Sequence, residues 1–308
     1  MRTDRSFIDL VGCRRPIQSA SLGGPISTAP LAAAVSNAGG LGMIANPFSA
    51  AEVRKQVEDA RALTGEPIGV GFLIPFVAME ALEAAAASAE VVEFFYGDPD
   101  RELVRLVRAD GAIAGWQVGS AAEAHAAAEA GCDYVVAQGI EAGGHVRGTK
   151  RLDDVLAEAL TCVDIPVVAA GGVGTGERFS GLLAAGAAAV RVGTRFVAAE
   201  EADAHPDYVA RLIAASQQDT VLTEAFGNGW PGAPHRVLRS AIEAAQQFDG
   251  RVVGAVGGGE IGVFGPLPPT REVSGEIGAM ALYAGTSVEH VTRIQPAAEI
   301  VAELTASV

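Results

Sequence analysis

The chain has 308 residues, 49% of them apolar and 6% aromatic, with 38 glycines and a formal net charge of −15 at pH 7. That length and apolar content can bury a large core, in one big α/β barrel with insertions or in two domains, and exclude a disordered chain or a disulfide scaffold. The acidic balance argues against nucleic acid and anionic membrane surfaces, which need a basic footprint, and points to a small-molecule ligand. Cys13, Cys132 and Cys162 are an odd, unclustered set without C-x-x-C spacing. They predict buried thiols in a reducing cytoplasm and no metal site.

At the start of the chain Arg2, Asp4 and Arg5 precede no continuous apolar stretch, so no signal peptide is expected. From Pro16 to Ala51 no side chain is charged, a run long enough to cross a bilayer. Pro25, Pro30, Asn37 and Pro47 interrupt it, and it reads instead as a strand, a helix and a second strand of a barrel interior. Eight apolar runs follow one another along the chain: Ile17 to Ser21, Leu41 to Ile44, Ile68 to Phe72, Val91 to Phe95, Ile113 to Val118, Tyr134 to Gln138, Pro166 to Ala170 and Ala189 to Val192. Their starts are roughly 20 to 32 residues apart, the length of a strand, a helix and two short loops.

The helices between them carry start and stop signals. Ser49 with Glu52 is a capping-box pattern opening a helix to about Leu63, and Ser120 with Glu123 repeats it before Gly131 ends that helix. Gly186 closes another after Leu182-Leu183-Ala184-Ala185. Eight βα units with glycine-rich strand ends predict an α/β fold, a (β/α)8 TIM barrel with a helical insertion capping the barrel mouth. The barrel is assigned to 1–198 and 287–308. The insertion, 199–286, shows helical stretches near Asp207 to Gln217 and His235 to Gln247 without a clear strand. Gly254 to Gly265 reads as a mobile loop over the mouth, and Ser287 to Leu304 as a last helix despite Pro296.

In such a barrel the chemistry sits at the carboxyl ends of the strands. The sixth predicted strand leads into Gln138 to His145, the seventh into Gly171-Gly172-Val173-Gly174, and the eighth ends as Arg191-Val192-Gly193-Thr194. The two glycine-containing loops at the seventh and eighth strand ends offer unhindered N–H groups and a hydroxyl to a phosphate. His145, beyond Gly143-Gly144, is a candidate general base on a weakly acidic carbon. His125, His205, His235 and His290 are read as structural or solvent-facing, and Glu141, Asp153-Asp154 and Glu200-Glu201 as solvated or capping groups. Trp230, among glycines, is either a wall of the substrate cavity or a loop anchor.

The runs Gln138-Gly139-Ile140-Glu141-Ala142-Gly143-Gly144-His145, Ala169-Ala170-Gly171-Gly172-Val173 and Arg191-Val192-Gly193-Thr194-Arg195-Phe196 resemble the nitronate monooxygenase family, formerly the 2-nitropropane dioxygenases. Similarity extends to Ala33 through Gly42, Tyr283-Ala284-Gly285 and Pro296-Ala297, and so to nearly the whole chain. The resemblance implies a cytoplasmic FMN oxidoreductase that oxidises alkyl nitronates with O2. On that analogy Gly172, Gly193 and Thr194 hold the FMN phosphate, with Gly171, Arg191 and Val192 nearby. Gln138, Gly143, Gly144 and Gln117 contact the flavin or its ribityl chain, and His145 is the active-site base or substrate-orienting group.

Two positions depart from that pattern: Ala20-Ser21-Leu22 stands where relatives often carry Ala-Pro-Met, and Gly71 where many carry asparagine. The same fold and cofactor also fit an NAD(P)H-dependent reductase of a quinone or an enoyl thioester. Further readings are a phosphate-binding isomerase or lyase, which would need a lysine or acid pair at strand ends, and a flavin-binding protein without turnover. A homo-oligomer is left open.

Overall fold

A computed structural model describes residues 6–23, 25–45 and 47–308. The charges at Arg2, Asp4 and Arg5 lie outside the described residues. All eight expected strands are present within two residues of their expected ends, as β1 (Ile17–Ser19), β2 (Gly42–Ala45), β3 (Ile68–Leu73), β4 (Val91–Phe95), β5 (Ile113–Val118), β6 (Tyr134–Gln138), β7 (Val167–Ala170) and β8 (Ala189–Val192). Each pairs in parallel with its sequence neighbour from β2 to β8, and β8 pairs with β1. Leu41, just before β2, bridges Gln18 and closes the ring. The fold is a (β/α)8 barrel.

Alternation along the strands splits the apolar residues between two cores. Outward residues such as Ile17, Val70, Val92, Trp116, Val135 and Val190 pack against the surrounding helices, which is why these parallel strands read as unbroken apolar runs. Inward residues Met43, Val91, Tyr134, Val168 and Ala189 fill the amino-terminal end of the barrel, and the helix Phe7–Val11 packs on them from below. Phe7 meets Tyr134 edge to face at 5.4 Å between centroids. Gly115 makes room for that tyrosine, since a Cβ there would lie 2.3 Å from its ring.

The helical caps are formed as the sequence implies. Ser49 and Ser120 each accept a hydrogen bond from the backbone N–H three residues on, and Gly131 ends its helix with φ of 98°. Glu141 caps the helix Leu152–Cys162 by accepting from the Leu152 N–H, and Glu201 does the same for Ala297. The three thiols are unbridged, and burial pushes Cys13 up to about 11 and Cys132 up to about 12, so neither is a reactive thiolate.

Above the apolar floor lies a buried ionic cluster that no sequence motif announces. The Arg191 guanidinium pairs with Glu93, donates to Gln117 Oε1 at 2.5 Å and reaches Gln18 Oε1 at 3.3 Å. Glu93 also accepts from the Tyr134 hydroxyl at 2.8 Å and from Gln18 at 3.3 Å.

Residues 199–286 correct the expected helical insertion. His235–Leu238 is a strand, paired antiparallel with Thr220–Thr223 on one side and with Gly144–His145 on the other, and the helix starts only at Arg239. Gly254 to Gly265 is not a loose loop but part of a hairpin, Val252–Val256 against Gly259–Gly262. Gly257 and Gly258, both with positive φ, make its turn, a Gly-Gly hairpin signal the sequence reading passed over. The final segment is a 3₁₀ turn, Thr286–His290, and a helix, Ala297–Leu304, that begins after Pro296 because proline starts a helix but cannot continue one. No helix among the described residues is long and apolar enough to cross a membrane.

The ionic cluster dictates a stability test. Glu93→Ala leaves a buried, unpaired guanidinium and is expected to cost about 3–5 kcal/mol in urea unfolding. Adding Arg191→Met removes the unpaired charge but leaves Gln18, Gln117 and Tyr134 without those partners, so it should recover only part of that loss.

Candidate active site

The carboxyl ends of the strands gather the expected residues around the barrel mouth. Gln138, the last residue of β6, faces the axis with Tyr134 and Val136. Its Nε2 donates to the His145 carbonyl at 3.0 Å, and its Oε1 is buried with no partner. His145 sits on the short strand Gly144–His145, directly opposite His235. Its Nε2 is also buried and unpartnered.

Aromatic rings surround the imidazole. Trp230 stacks on it at 4.0 Å and 27°, Tyr96 meets it edge-on at 5.7 Å, and His235 and Tyr283 lie 5.2 and 5.6 Å away. Phe76 packs edge-on against Trp230 at 4.9 Å. Trp230 is therefore a wall of the His145 cage. Desolvation, with a smaller contribution from His235, lowers the His145 pKa to about 3, so the imidazole is neutral at physiological pH. Burial raises the Tyr96 and Tyr283 phenols, which stay protonated.

His235, expected to be a structural histidine on a helix, is on a strand beside the cage, yet its ring is committed elsewhere. Its Nε2 accepts from the Phe226 N–H at 3.1 Å and its Nδ1 lies 2.8 Å from the Ala233 carbonyl, which fixes the neutral tautomer with the proton on Nδ1. Tyr96, also absent from the sequence reading, follows β4 with φ of 63°. A bulky residue in the left-handed region carries strain of the kind that collects at functional sites, and nothing in the local sequence signals it.

The glycine loops converge as well. A Cβ on Gly143 would lie 2.5 Å from the Gly285 N, and one on Gly172 would lie 2.9 Å from Glu141 Cβ and 3.0 Å from Thr286 Oγ1. Gly285 N–H donates to Thr194 Oγ1 at 3.0 Å, and Thr286 N–H to the Glu141 carbonyl at 2.9 Å. The segment Ala284–Thr286 thus ties together the loops after β6, β7 and β8, and brings in Thr286, a hydroxyl the sequence reading missed. Gly171 and Gly172 have φ of 125° and 66°. The N–H groups of Gly172, Gly193 and Thr194 enter no turn, loop or cap hydrogen bond among the described residues.

Two of the expected residues also belong to the ionic cluster. The Arg191 side chain is inside the ionic cluster below the mouth, so only its backbone, with that of Val192, is near the Gly193 loop. Gln117 is at the end of β5, where its Oε1 accepts from Arg191 and its Nε2 remains a donor. Among the described residues no cluster of histidine, cysteine or carboxylates has metal-site geometry.

An eight-stranded parallel barrel with a glycine-rich mouth, unpartnered polar atoms and an aromatic-caged imidazole has the form of a barrel enzyme, whose chemistry is built at the carboxyl ends of the strands. The nitronate monooxygenase family model matches residues 5–88 and 76–307, and the chain belongs to that family. It is 34% identical to a nitronate monooxygenase of Pseudomonas aeruginosa over 289 aligned residues, covering 78% of this chain and 82% of that one. It is 32% identical to a 5-hydroxy-7a-methyl-1-oxo-octahydro-1H-indene-4-carboxyl-CoA dehydrogenase of Rhodococcus jostii, covering 82% and 70%. The crystal structure of a nitroalkane oxidase from Streptomyces ansochromogenes, 30% identical, superposes with a TM-score of 0.79 over 98% of this chain and 97% of that one. The protein is accordingly an oxidoreductase of this family.

The His145 environment makes a testable statement about pH. The unfolded chain takes up a proton near pH 6.5 that the folded chain refuses down to about 3, so this group lowers stability as pH falls through that window. The urea midpoint of His145→Gln is expected to fall less than that of the wild type between about pH 7 and about pH 4.5.

Proposed function

We propose that the protein is an FMN-dependent oxidoreductase of the nitronate monooxygenase type that oxidises alkyl nitronates with O2. The observation that carries this reading is the barrel mouth itself. The buried side-chain atoms without partners among the described residues are Ser21 Oγ, Gln138 Oε1 and His145 Nε2, on loops and strand ends of that mouth. Unpaired buried polar atoms are costly, so a set of them at one opening is best explained by a ligand that supplies the partners.

The residues fit FMN. Gly171, Gly172, Gly193 and Thr194 present small, open backbone to a phosphate, with the Thr286 hydroxyl alongside. Gln138 offers an acceptor and Gln117 a donor to the polar edge of the flavin ring, while Gly144, with nothing within 4 Å of a Cβ position, leaves the backbone there open. When bound, FMN supplies the electron acceptor for the substrate and passes the electrons to O2.

His145 holds the substrate side. A neutral imidazole with a pKa near 3 is a poor acceptor for a proton on carbon but a good hydrogen-bond partner for a substrate that is already an anion. An arriving anion also stabilises the protonated imidazole and raises its pKa toward the working range. This favours a pre-formed nitronate over a neutral nitroalkane. The aromatic walls Tyr96, Trp230 and Tyr283 exclude water from that encounter, and residues 199–286 serve as the cap that brings Trp230 and Tyr283 to it.

The likeness to a carboxyl-CoA dehydrogenase favours one second reading, an NAD(P)H-dependent flavin reductase acting on a quinone or an enoyl thioester. Anaerobic spectroscopy separates the two. The purified protein is expected to bind FMN and to have its flavin bleached by an alkyl nitronate and not by NADH or NADPH; bleaching by a reduced nicotinamide selects the second reading. His145→Ala is expected to retain FMN and lose roughly 10²-fold in kcat/KM on a nitronate, and near-normal turnover would remove its role.

A further inference from the structure

Ser21 is one of the three residues with an unpartnered buried atom, and neither the cofactor contacts nor the substrate contacts above account for it. Its loop is not careless with hydroxyls. Six residues on, Ser27 Oγ donates to the Ala20 carbonyl and accepts from the Leu22 N–H, each at 3.1 Å. Ser27 therefore clamps the residues on both sides of Ser21, and the Ala20 N–H is held in turn by the Val192 carbonyl at 2.8 Å. Ala20 and Leu22 rest against the Gly193 position, 3.4 and 3.6 Å from where its Cβ would be. The loop after β1 is thus fixed at both shoulders, with one polar side chain left unpaid in hydrogen bonds between them.

Gly71 explains where that side chain goes. A Cβ on Gly71 would lie 2.2 Å from Ser21 Oγ and 2.8 Å from Ser21 Cβ. Gly71 is the register partner of Glu93, whose side chain is in the axial ionic cluster, so Gly71 also faces the axis. The hydroxyl of a loop following β1 has therefore moved across β2 into the volume that a side chain on β3 would fill. A side chain at 71 and the hydroxyl of Ser21 exclude one another, so Gly71 and Ser21 form a matched pair.

We propose that Ser21 is a ligand-binding residue of the barrel mouth, and that Gly71 exists to admit its hydroxyl. The hydroxyl donates a hydrogen bond to a carbonyl oxygen or ring nitrogen on a flat heteroaromatic ligand. The ligand, on the reading above, is the flavin ring of FMN, and the inference rests on that reading. Ser21 Oγ would supply a donor from the loop after β1, and Gln138 Oε1 an acceptor from β6.

A residue kept for ligand binding at a cost to the empty protein has a signature that a structural residue lacks. In the apoprotein, Ser21→Ala removes an unsatisfied buried hydroxyl and is expected to leave Tm unchanged or raise it. In the same variant, the FMN dissociation constant is expected to rise about tenfold, the worth of one good hydrogen bond, with a shift of the bound flavin's absorption maximum. Gly71→Ala, which displaces the hydroxyl, should weaken FMN binding to a similar degree, and the double variant should lose less than the product of the two effects. A Ser21→Ala apoprotein with a lowered Tm and wild-type FMN affinity would overturn the proposal, as would fully multiplicative losses in the double variant. Failure of the wild type to bind FMN would remove the flavin reading and the proposed ring contact together, whereas wild-type binding that Ser21→Ala leaves unchanged removes Ser21 alone.

Discussion

The pairing of Arg191 with Glu93 at the centre of the barrel is the constraint on which the rest of the interior depends. Two charges removed from water are tolerated only when every remaining donor and acceptor is engaged, and Gln18, Gln117 and Tyr134 meet that requirement from three further strands. A network that draws on β1, β4, β5, β6 and β8 fixes the mutual register of those strands. It also forms a polar layer: beneath it the barrel is filled by Met43, Val91, Tyr134 and Val168 and plugged by Phe7, and above it the strands end at the barrel mouth.

The mouth is organised on the opposite principle. Its strand ends and loops carry Gly71, Ala170, Gly171, Gly172 and Gly193, which leave space rather than fill it, and its polar atoms at Ser21, Gln138 and His145 are left unmatched. The full satisfaction of the layer below makes this possible. A rigid, hydrogen-bonded centre holds the incomplete site in place, where a fluid one would let the orphaned groups find partners within the protein.

The cap is joined to the barrel by backbone rather than by side chains alone. Gly144–His145 forms the edge strand of the sheet built on His235–Leu238, so the caged imidazole is held by both parts of the chain. Arg236 strengthens the seam by donating to the Ile140 carbonyl at 2.9 and 2.7 Å, and the Ala284–Thr286 segment binds the loops after β6, β7 and β8 from above. A shift of residues 199–286 would therefore move His145, Trp230 and the loops after β7 and β8 together.

The sequence by itself determined the barrel. Strands buried on both faces must be continuously apolar, and helices that cross back over them must open on groups such as Ser49 and Ser120 and close on residues such as Gly131, so eight units could be counted without a structure. Glycines at Gly143, Gly171, Gly172 and Gly193 likewise marked the loops that meet with His145 at the barrel mouth. Only the tertiary structure decided which side chains meet. Glu93 and Arg191 are 98 positions apart, and nothing in either strand reveals that they neutralise each other. Tyr96, Trp230 and Tyr283 come from three separate stretches of chain to one imidazole, and Ser21 reaches the space above Gly71 across an intervening strand. Periodicity records how a residue faces its own element, and these contacts depend on closure of the ring and docking of the cap, which bring together residues with no local relation.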